Sequence, residues 1–114
     1  MNQGMRTIIY PVKDIARAKK LYGELFGAKP VMDEPYYVGW NVEGQDVGLD
    51  PNGHSQGLTG AVGYWHVDDI ETTLSDLLTA GAETLQEVKD VGGGKLIASV
   101  KDADGNIIGL LQAP

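Results

Sequence analysis

The feature of this sequence that most constrains its fold is an internal duplication. The segment that starts at Tyr10 reads YPVKDIARAKKLYGELFGA, and the segment that starts at Trp65 reads WHVDDIETTLSDLLTAGA. Both contain a Val-x-Asp-Ile junction, at residues 12–15 and 67–70, and both close on Gly-Ala. Repetition of this kind predicts two copies of one folding module within the 114 residues.

Each copy predicts the same element order, βαβββ. Runs rich in β-branched and aromatic residues predict the strands, and the polar or glycine-rich stretches between them predict turns. Apolar residues spaced three and four apart predict one helix in each copy. The predicted strands cover residues 6–12, 29–33, 36–42 and 45–50 in copy one and residues 61–67, 84–90, 95–101 and 106–111 in copy two.

An aspartate precedes each predicted helix and a glycine follows it. Asp14 and Asp69 are suited to cap the N–H groups of the first turn, and Gly27 and Gly81 are suited to end the helices. The apolar spacing then assigns one face of each helix to the core. The residues predicted to face the core are Ile15, Ala18, Leu21, Tyr22 and Leu25 in the first helix and Ile70, Leu74, Leu77 and Leu78 in the second.

This order of elements predicts the α+β class, with two tandem βαβββ modules forming a curved, cup-like mixed sheet that carries its helices on the outside. We expect a single domain over residues 1–114, with module one at about 6–50, a polar linker at 51–60 and module two at about 61–111. The sheet face without helices would form a trough, which is a natural site for a small molecule.

Composition narrows the range of partners. The net charge of −7 argues against a nucleic-acid surface, because such a surface needs an excess of lysine and arginine. No apolar run approaches the length of a membrane span, so we expect no membrane partner. The chain has no cysteine, which excludes a disulfide scaffold and agrees with a cytoplasmic location.

The Val-x-Asp-Ile junctions and the final stretch DADGNIIGL, residues 102–110, resemble the vicinal oxygen chelate superfamily. That superfamily contains glyoxalases, bleomycin-resistance proteins, extradiol dioxygenases and epimerases, and the resemblance covers about residues 6–111. It implies paired βαβββ units. In the metal-dependent members, it also implies a divalent ion held in the trough by residues from the first and last strand of each unit.

This chain lacks strong donors at the four positions that correspond to those metal ligands. The first-strand positions are Thr7 and Val62, and the last-strand positions are Gly48 and Gly109, where the resemblance leads us to look for His, Gln or Glu. A divalent transition ion needs several N, O or S donors. We therefore expect no metal and no other cofactor, and we expect the two glycines to leave open room on the trough floor.

Strand alternation from those four positions assigns further side chains to the trough, including the carboxylates of Asp46 and Asp50. The candidate ligand-binding residues are Tyr37, Asn41, Tyr64, His66, Ser99, Ile107 and Gly109. The tyrosines would stack on a planar ligand, and the amide and hydroxyl groups would form hydrogen bonds. His66 is the best candidate for moving a proton. The more common roles are structural bonding for a histidine near a strand end, packing for Tyr37 and Tyr64, and solvation for the carboxylates of Asp46 and Asp50.

Two functions have support in the sequence, and a third, a non-catalytic interaction or regulatory module, stays open although nothing in the sequence singles it out. The first is a glyoxalase- or bleomycin-resistance-like protein that binds a small organic molecule, aromatic or antibiotic-like, without a metal and as a homodimer. The second is an enzyme of the same superfamily, a lyase, isomerase or dioxygenase, with its metal site displaced to His66 and Asp46 or Asp50.

Overall fold

The computed structural model describes residues 2–114, and its elements occur in the predicted order. The strands are β1 (Asn2–Pro11), β2 (Met32–Glu34), β3 (Tyr37–Val42), β4 (Gln45–Asp50), β5 (Val62–Val67), β6 (Glu83–Asp90), β7 (Leu96–Lys101) and β8 (Ile107–Gln112). The helices are α1 (Ile15–Phe26) and α2 (Ile70–Thr79). A short 3₁₀ turn at His54–Gln56, which the sequence does not predict, lies within the expected linker.

The chain divides into two compact units. The first unit comprises Arg6–Val62, and the second comprises Gly63–Pro114 together with the start of β1 as far as Met5. The strand order in the first unit is β2-β3-β4-β1, with β1 parallel to β4 and the other neighbours antiparallel. The order in the second unit is β5-β8-β7-β6, with β5 parallel to β8 and the other neighbours antiparallel.

The core of the first unit lies between α1 and its sheet. Val38, Trp40 and Leu49 are almost completely buried there. The indole N–H of Trp40 donates a hydrogen bond to the carbonyl oxygen of Ala28 at 3.1 Å, so the one polar group of this side chain is satisfied. The α1 residues that pack against this core are Ile15, Ala18, Tyr22 and Phe26.

The prediction that Leu21 and Leu25 face the core is wrong. Their exposed fractions are 66% and 72%, so both lie on the outer side of α1. The helix carries apolar residues on two neighbouring stripes, and the stripe that contains Tyr22 and Phe26 is the one that packs on the sheet. Aromatic rings bury more area per residue than leucines, which favours this choice of face.

In the second unit, α2 packs as predicted except near its end. Ile70 and Leu74 are buried, and Leu77 packs against the same cluster. Leu78 is 41% exposed, so its predicted core position is wrong. Because adjacent residues on a helix point about 100° apart, the inward position of Leu77 turns Leu78 toward the surface. The strand residues of this cluster are Val67, Ala98, Val100 and Leu110.

Both predicted helix N-caps are confirmed. The carboxylate of Asp14 accepts a hydrogen bond from the N–H of Arg17 at 3.0 Å, and the carboxylate of Asp69 accepts one from the N–H of Thr72 at 3.1 Å. At the other end of α1, Gly27 adopts a φ of 63°, in the left-handed region. Glycine takes this conformation without strain, which explains why the helix ends there.

β1 begins at Asn2, four residues before its predicted start. The side-chain amide of Gln3 donates a hydrogen bond to the carboxylate of Asp68, and this bond lowers the pKa of Asp68. The thioether of Met5 lies over Gly63, since a Cβ added at Gly63 would lie 2.5 Å from the Met5 sulfur. The second unit therefore includes a strand segment that the predicted module at 61–111 leaves out.

The turn that precedes β8 is organised by Asp102. Its Oδ1 accepts hydrogen bonds from the backbone N–H groups of Asp104 at 2.9 Å and Asn106 at 2.8 Å. Its Oδ2 accepts a third hydrogen bond, from the side-chain amide of Asn106 at 2.8 Å. That amide is the largest of the causes that lower the pKa of Asp102.

We expect Asp102→Asn to destabilise the protein at neutral pH and to destabilise it progressively less in acid. Because the folded-state pKa of Asp102 is lowered, its charge contributes stability above the unfolded pKa of about 3.9, and this contribution is lost as the pH falls through the folded pKa. Urea unfolding at a series of pH values measures the effect. Asp104→Asn removes the same charge from the same turn, and an identical pH dependence in both variants would contradict the prediction.

Candidate functional site

The sheet face of the first unit that points away from α1 carries two adjacent glycines. The register pairs Ile9 with Gly48, Gly48 with Gly39, and Gly39 with Met32. Residues paired in this way lie side by side on one face of a sheet. We call these four residues the glycine row.

The ring of Tyr37 lies across the glycine row. A Cβ added at Gly48 would lie 2.0 Å from the hydroxyl oxygen of Tyr37 and 2.4 Å from its Cζ, and a Cβ added at Gly39 would lie 2.9 Å from its Cε2. Neither glycine has a positive φ. Glycine is therefore needed at these two positions for space and not for backbone conformation.

The second unit has a corresponding row. The register pairs Tyr64 with Gly109, Gly109 with Ser99, and Ser99 with Gln86. Ser99 is fully buried, and its hydroxyl donates a hydrogen bond to Oε1 of Gln86 at 3.3 Å. This register confirms that Tyr64, Ser99 and Gly109 share one face, as strand alternation predicts.

The ring of Tyr64 covers Gly109 in the second unit. A Cβ added at Gly109 would lie 2.7 Å from both Cγ and Cδ2 of Tyr64 and 2.9 Å from the carbonyl oxygen of Gly63. The expectation that Gly48 and Gly109 leave open room is therefore wrong. In each unit a tyrosine ring already fills the space that the missing side chain vacates.

The four positions that correspond to the superfamily's metal ligands do not fit a metal ion. Gly48 and Gly109 supply no side-chain donor and lie under tyrosine rings, Val62 is a buried hydrocarbon, and buried Thr7 supplies only a hydroxyl. Divalent transition ions require several nitrogen, oxygen or sulfur donors. Within residues 2–114, no group of three or more His, Cys, Asp and Glu side chains is placed to hold a metal ion.

Carboxylates surround the glycine row on the same face. Asp46 and Asp50 lie toward the two ends of β4, and Glu34 is paired directly with Tyr37. Oδ1 of Asp46 accepts a hydrogen bond from the side-chain amide of Asn41 at 2.9 Å. In the part of the first unit that forms β1 to β4, residues 6–11 and 32–50, the strand positions on this face hold no lysine or arginine. The face is therefore acidic.

The candidate ligand-binding residues differ in their accessibility. Asn41 is exposed, and the side chains of Tyr37, His66 and Ile107 are half-buried. Tyr64 and Ser99 are buried, with exposed fractions of 4% and 0%. Tyr37 and Asn41 lie on the face of the first unit and the others belong to the second unit, so a ligand meets a different set of groups on each. Gly39 and Met32 of the glycine row are not among the residues that the sequence identifies.

The chain matches the family model described as the Glyoxalase/Bleomycin resistance protein/Dioxygenase superfamily over residues 4–110. This match covers nearly the whole sequence, and the protein belongs to that superfamily. None of the curated proteins compared with the chain matches it. Neither helix in residues 2–114 is long and apolar enough to cross a membrane.

Solved structures share this fold. A glyoxalase/bleomycin resistance protein/dioxygenase superfamily member from Vibrio splendidus 12B01 is 18% identical, with 99% of this chain and 100% of that chain covered and a TM-score of 0.72. Methylmalonyl-CoA epimerase from Mycobacterium tuberculosis is 18% identical, with coverages of 99% and 90% and a TM-score of 0.73. A variant Streptomyces coelicolor methylmalonyl-CoA epimerase in complex with 2-nitronate-propionyl-CoA is 14% identical, with 99% of each chain covered and a TM-score of 0.70. These likenesses confirm the predicted fold class.

Proposed function

We propose that this protein binds a small organic molecule on the sheet faces that carry the tyrosine-covered glycines, without a metal ion. The observation that carries the proposal is the presence of glycines under the rings of Tyr37 and Tyr64 at positions where the superfamily places metal ligands. Aromatic and polar groups without a donor set suit an organic ligand better than an ion. We place this activity in the cytoplasm because the sequence lacks cysteine.

A relative with the same fold supports this class of ligand. The epimerase structure from S. coelicolor contains 2-nitronate-propionyl-CoA, an organic molecule. In our proposal, a ligand on the first unit forms a hydrogen bond with the exposed amide of Asn41 and meets the aromatic side chain of Tyr37, whereas in the second unit the accessible candidates are half-buried His66 and Ile107, because Tyr64 and Ser99 are buried. His66, half-buried on β5, binds a polar group of the ligand or transfers a proton.

A screen of small aromatic and antibiotic-like compounds by thermal shift tests the proposal. A compound that binds the folded state raises Tm, and the rise increases with the concentration of the compound. In NMR spectra, the protein amide signals that shift on binding should belong to β3 and β4 or to β5, β7 and β8.

For a ligand on the first unit, Asn41→Ala should weaken binding about fivefold, the equivalent of one hydrogen bond. Asn52→Ala, at another exposed asparagine, is the matched control. Shifts confined to the helices, or no binding in a broad screen, would contradict the proposal.

Removal of metal is expected to leave the protein unchanged. Because the four corresponding positions offer only one neutral hydroxyl, that of Thr7, elemental analysis of the purified protein should find far less than one transition ion per chain. Dialysis against a chelator should alter neither Tm nor the affinity for a ligand found in the screen. A stoichiometric ion whose removal lowers Tm would instead favour an enzyme with a displaced metal site.

We further propose that the protein is a homodimer with the outer side of α1 in its interface. Leu21 and Leu25 are exposed there, and Leu21 lines a groove of about 660 Å³ whose charged lining consists of the cations Lys13, Arg17 and Lys20 and the carboxylates Asp14 and Glu24. Six of the nine lysines and arginines fall within residues 1–29, whereas fourteen of the sixteen acidic residues follow them. A second copy of the chain therefore offers an acidic surface that complements this groove.

The double substitution Leu21→Glu with Leu25→Glu is expected to convert the dimer to a monomer. Both side chains are exposed, so the fold should persist, while two buried carboxylates would disfavour the interface. Sedimentation velocity measures the change. Val91→Glu, at an exposed residue of the turn before β7, should leave the dimer intact. A monomeric wild-type protein, or a dimer that survives the double substitution, would contradict this model.

A further inference from the structure

We infer that Asn52 and Gly53 form a self-modification site, at which the protein loses ammonia and converts the asparagine to an aspartyl or isoaspartyl residue, and that the hydroxyl of Ser55 promotes this reaction. The site lies in the segment that joins β4 to β5. The inference goes beyond the proposed function and does not depend on it, because the reaction uses only groups of this segment and water.

Asn52 is the one asparagine of this chain that a glycine follows. The other three, Asn2, Asn41 and Asn106, precede glutamine, valine and isoleucine. Deamidation starts when the backbone nitrogen of the next residue attacks the asparagine Cγ, and a side chain on that next residue hinders the attack. Because glycine has no Cβ, the nitrogen after Asn52 is open to this approach.

The side chain of Asn52 is also the one that is free to react. Among residues 2–114, the side chains of Asn2, Asn41 and Asn106 all form hydrogen bonds, whereas that of Asn52 forms none and is exposed. The Cγ of Asn52 can therefore rotate toward the nitrogen of Gly53 without breaking a side-chain hydrogen bond.

Packing requires glycine at position 53. A Cβ added there would lie 2.5 Å from the Cβ of Pro11 and 3.3 Å from Cδ1 of Leu58, which is buried. The φ of Gly53 is −60°, which any residue adopts, so space and not conformation is what excludes a side chain. The reactive Asn-Gly pair therefore follows from the way this segment packs on β1.

The hydroxyl of Ser55 is placed to stabilise the attacking nitrogen. It donates a hydrogen bond of 2.8 Å to the carbonyl oxygen of Asn52, which belongs to the same peptide group as the nitrogen of Gly53. When that nitrogen loses its proton, resonance spreads the negative charge onto this oxygen. A donor aimed at an oxygen that gains negative charge lowers the barrier, as an oxyanion hole does.

Only a long hydrogen bond holds the nitrogen back. The N–H of Gly53 donates to the carbonyl oxygen of Asp50 at 3.4 Å, beyond the usual range of 2.7–3.2 Å for such bonds. The stronger bonds at this residue are made by its carbonyl oxygen, which accepts from the N–H groups of Gln56 and Leu58 at 3.0 Å. The turn is therefore fixed mainly by a group that does not take part in the reaction.

The reaction balances without an oxidant or a reductant. The nitrogen of Gly53 gives up its proton and forms a bond to Cγ of Asn52. The bond from Cγ to the side-chain nitrogen breaks, that nitrogen takes up the proton and leaves as ammonia, and a cyclic succinimide remains. Water then opens the ring. Opening at Cγ gives aspartate, and opening at the main-chain carbonyl carbon gives isoaspartate, which has one more methylene group in the backbone.

The product places a new carboxylate beside an existing one. The backbone N–H of Asn52 donates to Oδ1 of Asp50 at 2.8 Å, so the negative charge gained at residue 52 lies close to that of Asp50 and repels it. The net charge of the chain, −7, becomes more negative by one unit. The reaction therefore changes the charge at the edge of the first unit's sheet face where Asp50 lies.

Incubation of the purified full chain in mildly alkaline buffer, sampled over time and followed by peptide mass spectrometry, tests the inference. We expect a gain of about 1 Da at Asn52, with isoaspartate among the products, before any gain at Asn41 or Asn106. Anion-exchange chromatography should show a more acidic form that appears at the same rate. Asn52→Gln should nearly abolish both signals, because glutamine would have to close a larger ring.

Variants at Ser55 test its part in the reaction. Ser55→Ala should slow the modification about fivefold, the rate equivalent of one hydrogen bond in the transition state. Ser55→Thr and Ser55→Val share one shape and differ in the hydroxyl, so the threonine variant should react about fivefold faster than the valine variant. Thr59→Ala removes another exposed hydroxyl of the same segment and should leave the rate unchanged.

Each outcome bears on the inference. Modification of Asn52 that needs the hydroxyl at residue 55 supports it. Modification no faster at Asn52 than at Asn106 overturns it, as does a rate that Ser55→Ala leaves unchanged or raises. If Ser55→Ala lowers Tm, the threonine and valine pair decides, and equal rates in that pair overturn the inference. Because none of these measurements involves a ligand, the proposed function is tested separately by its own screen.

Discussion

Gly109→Ala is expected to lower the free energy of unfolding by about 3 kcal/mol, at the upper end of what overpacking a core usually costs. The added Cβ would lie 2.7 Å from two atoms at the base of the Tyr64 ring and 2.9 Å from the carbonyl oxygen of Gly63. The ring is buried and the carbonyl belongs to the backbone, so neither gives way easily. Urea denaturation of the two proteins measures the loss.

Gly48→Ala is the matched comparison, because it also places a methyl group under a tyrosine. The atoms nearest the added methyl group are at the hydroxyl end of the half-buried Tyr37 side chain and include no backbone atom, so we expect a loss of only about 1 kcal/mol. Adding Tyr37→Ala to the Gly48→Ala variant should remove most of the clash between the new methyl group and the tyrosine ring. Adding Tyr64→Ala should remove only part of the clash at Gly109, because the Gly63 carbonyl remains. Equal losses at the two glycines would contradict this view of the two rings.

Trp40→Ala should be the most damaging substitution in the first unit, with a loss of about 4 kcal/mol. Trp40 is 1% exposed, packs edge-on against Phe26 with ring centroids 5.2 Å apart, and donates its N–H to the carbonyl oxygen of Ala28. Trp40→Phe keeps a ring but loses that hydrogen bond, so it should cost clearly less.

Denaturant unfolding followed by tryptophan fluorescence measures these losses. In both Trp40 variants the emission comes from the other tryptophan, Trp65, which is 37% exposed, and its maximum should lie at longer wavelength than in the wild type. Trp65→Ala is the control and should change stability little. A loss from Trp40→Ala no larger than that from Trp65→Ala would show that the indole of Trp40 is not central to this core.

Much of the fold was predictable because the duplication and the strand alternation can both be recognised from the residues alone. The order of elements, the helix caps at Asp14 and Asp69, and the shared face of Ser99 and Gly109 follow from local patterns. The face of α1 was not predictable. Apolar residues occupy two neighbouring stripes of that helix, and only packing against the sheet decides that Phe26 turns inward and Leu25 outward.

The covering of the glycines was predictable in part. Tyr37 and Gly39 are two residues apart on one strand, so they share a face, and a tyrosine side chain leans along its strand far enough to cover such a neighbour. Tyr64 and Gly109 are far apart in sequence, and their contact depends on the exact register of two parallel strands. A shift of one residue would have turned the ring to the other face, which no local pattern excludes.

The start of β1 decides how this protein can be divided. A fragment cut in the linker, at residues 61–114, would lack Gln3 and Met5, so Gly63 would lose its covering thioether and Asp68 its amide donor. The second half of the duplicated sequence therefore depends on contacts with residues at the start of the first half. Reconstitution of the second half would need the N-terminal peptide supplied in trans or joined to its end.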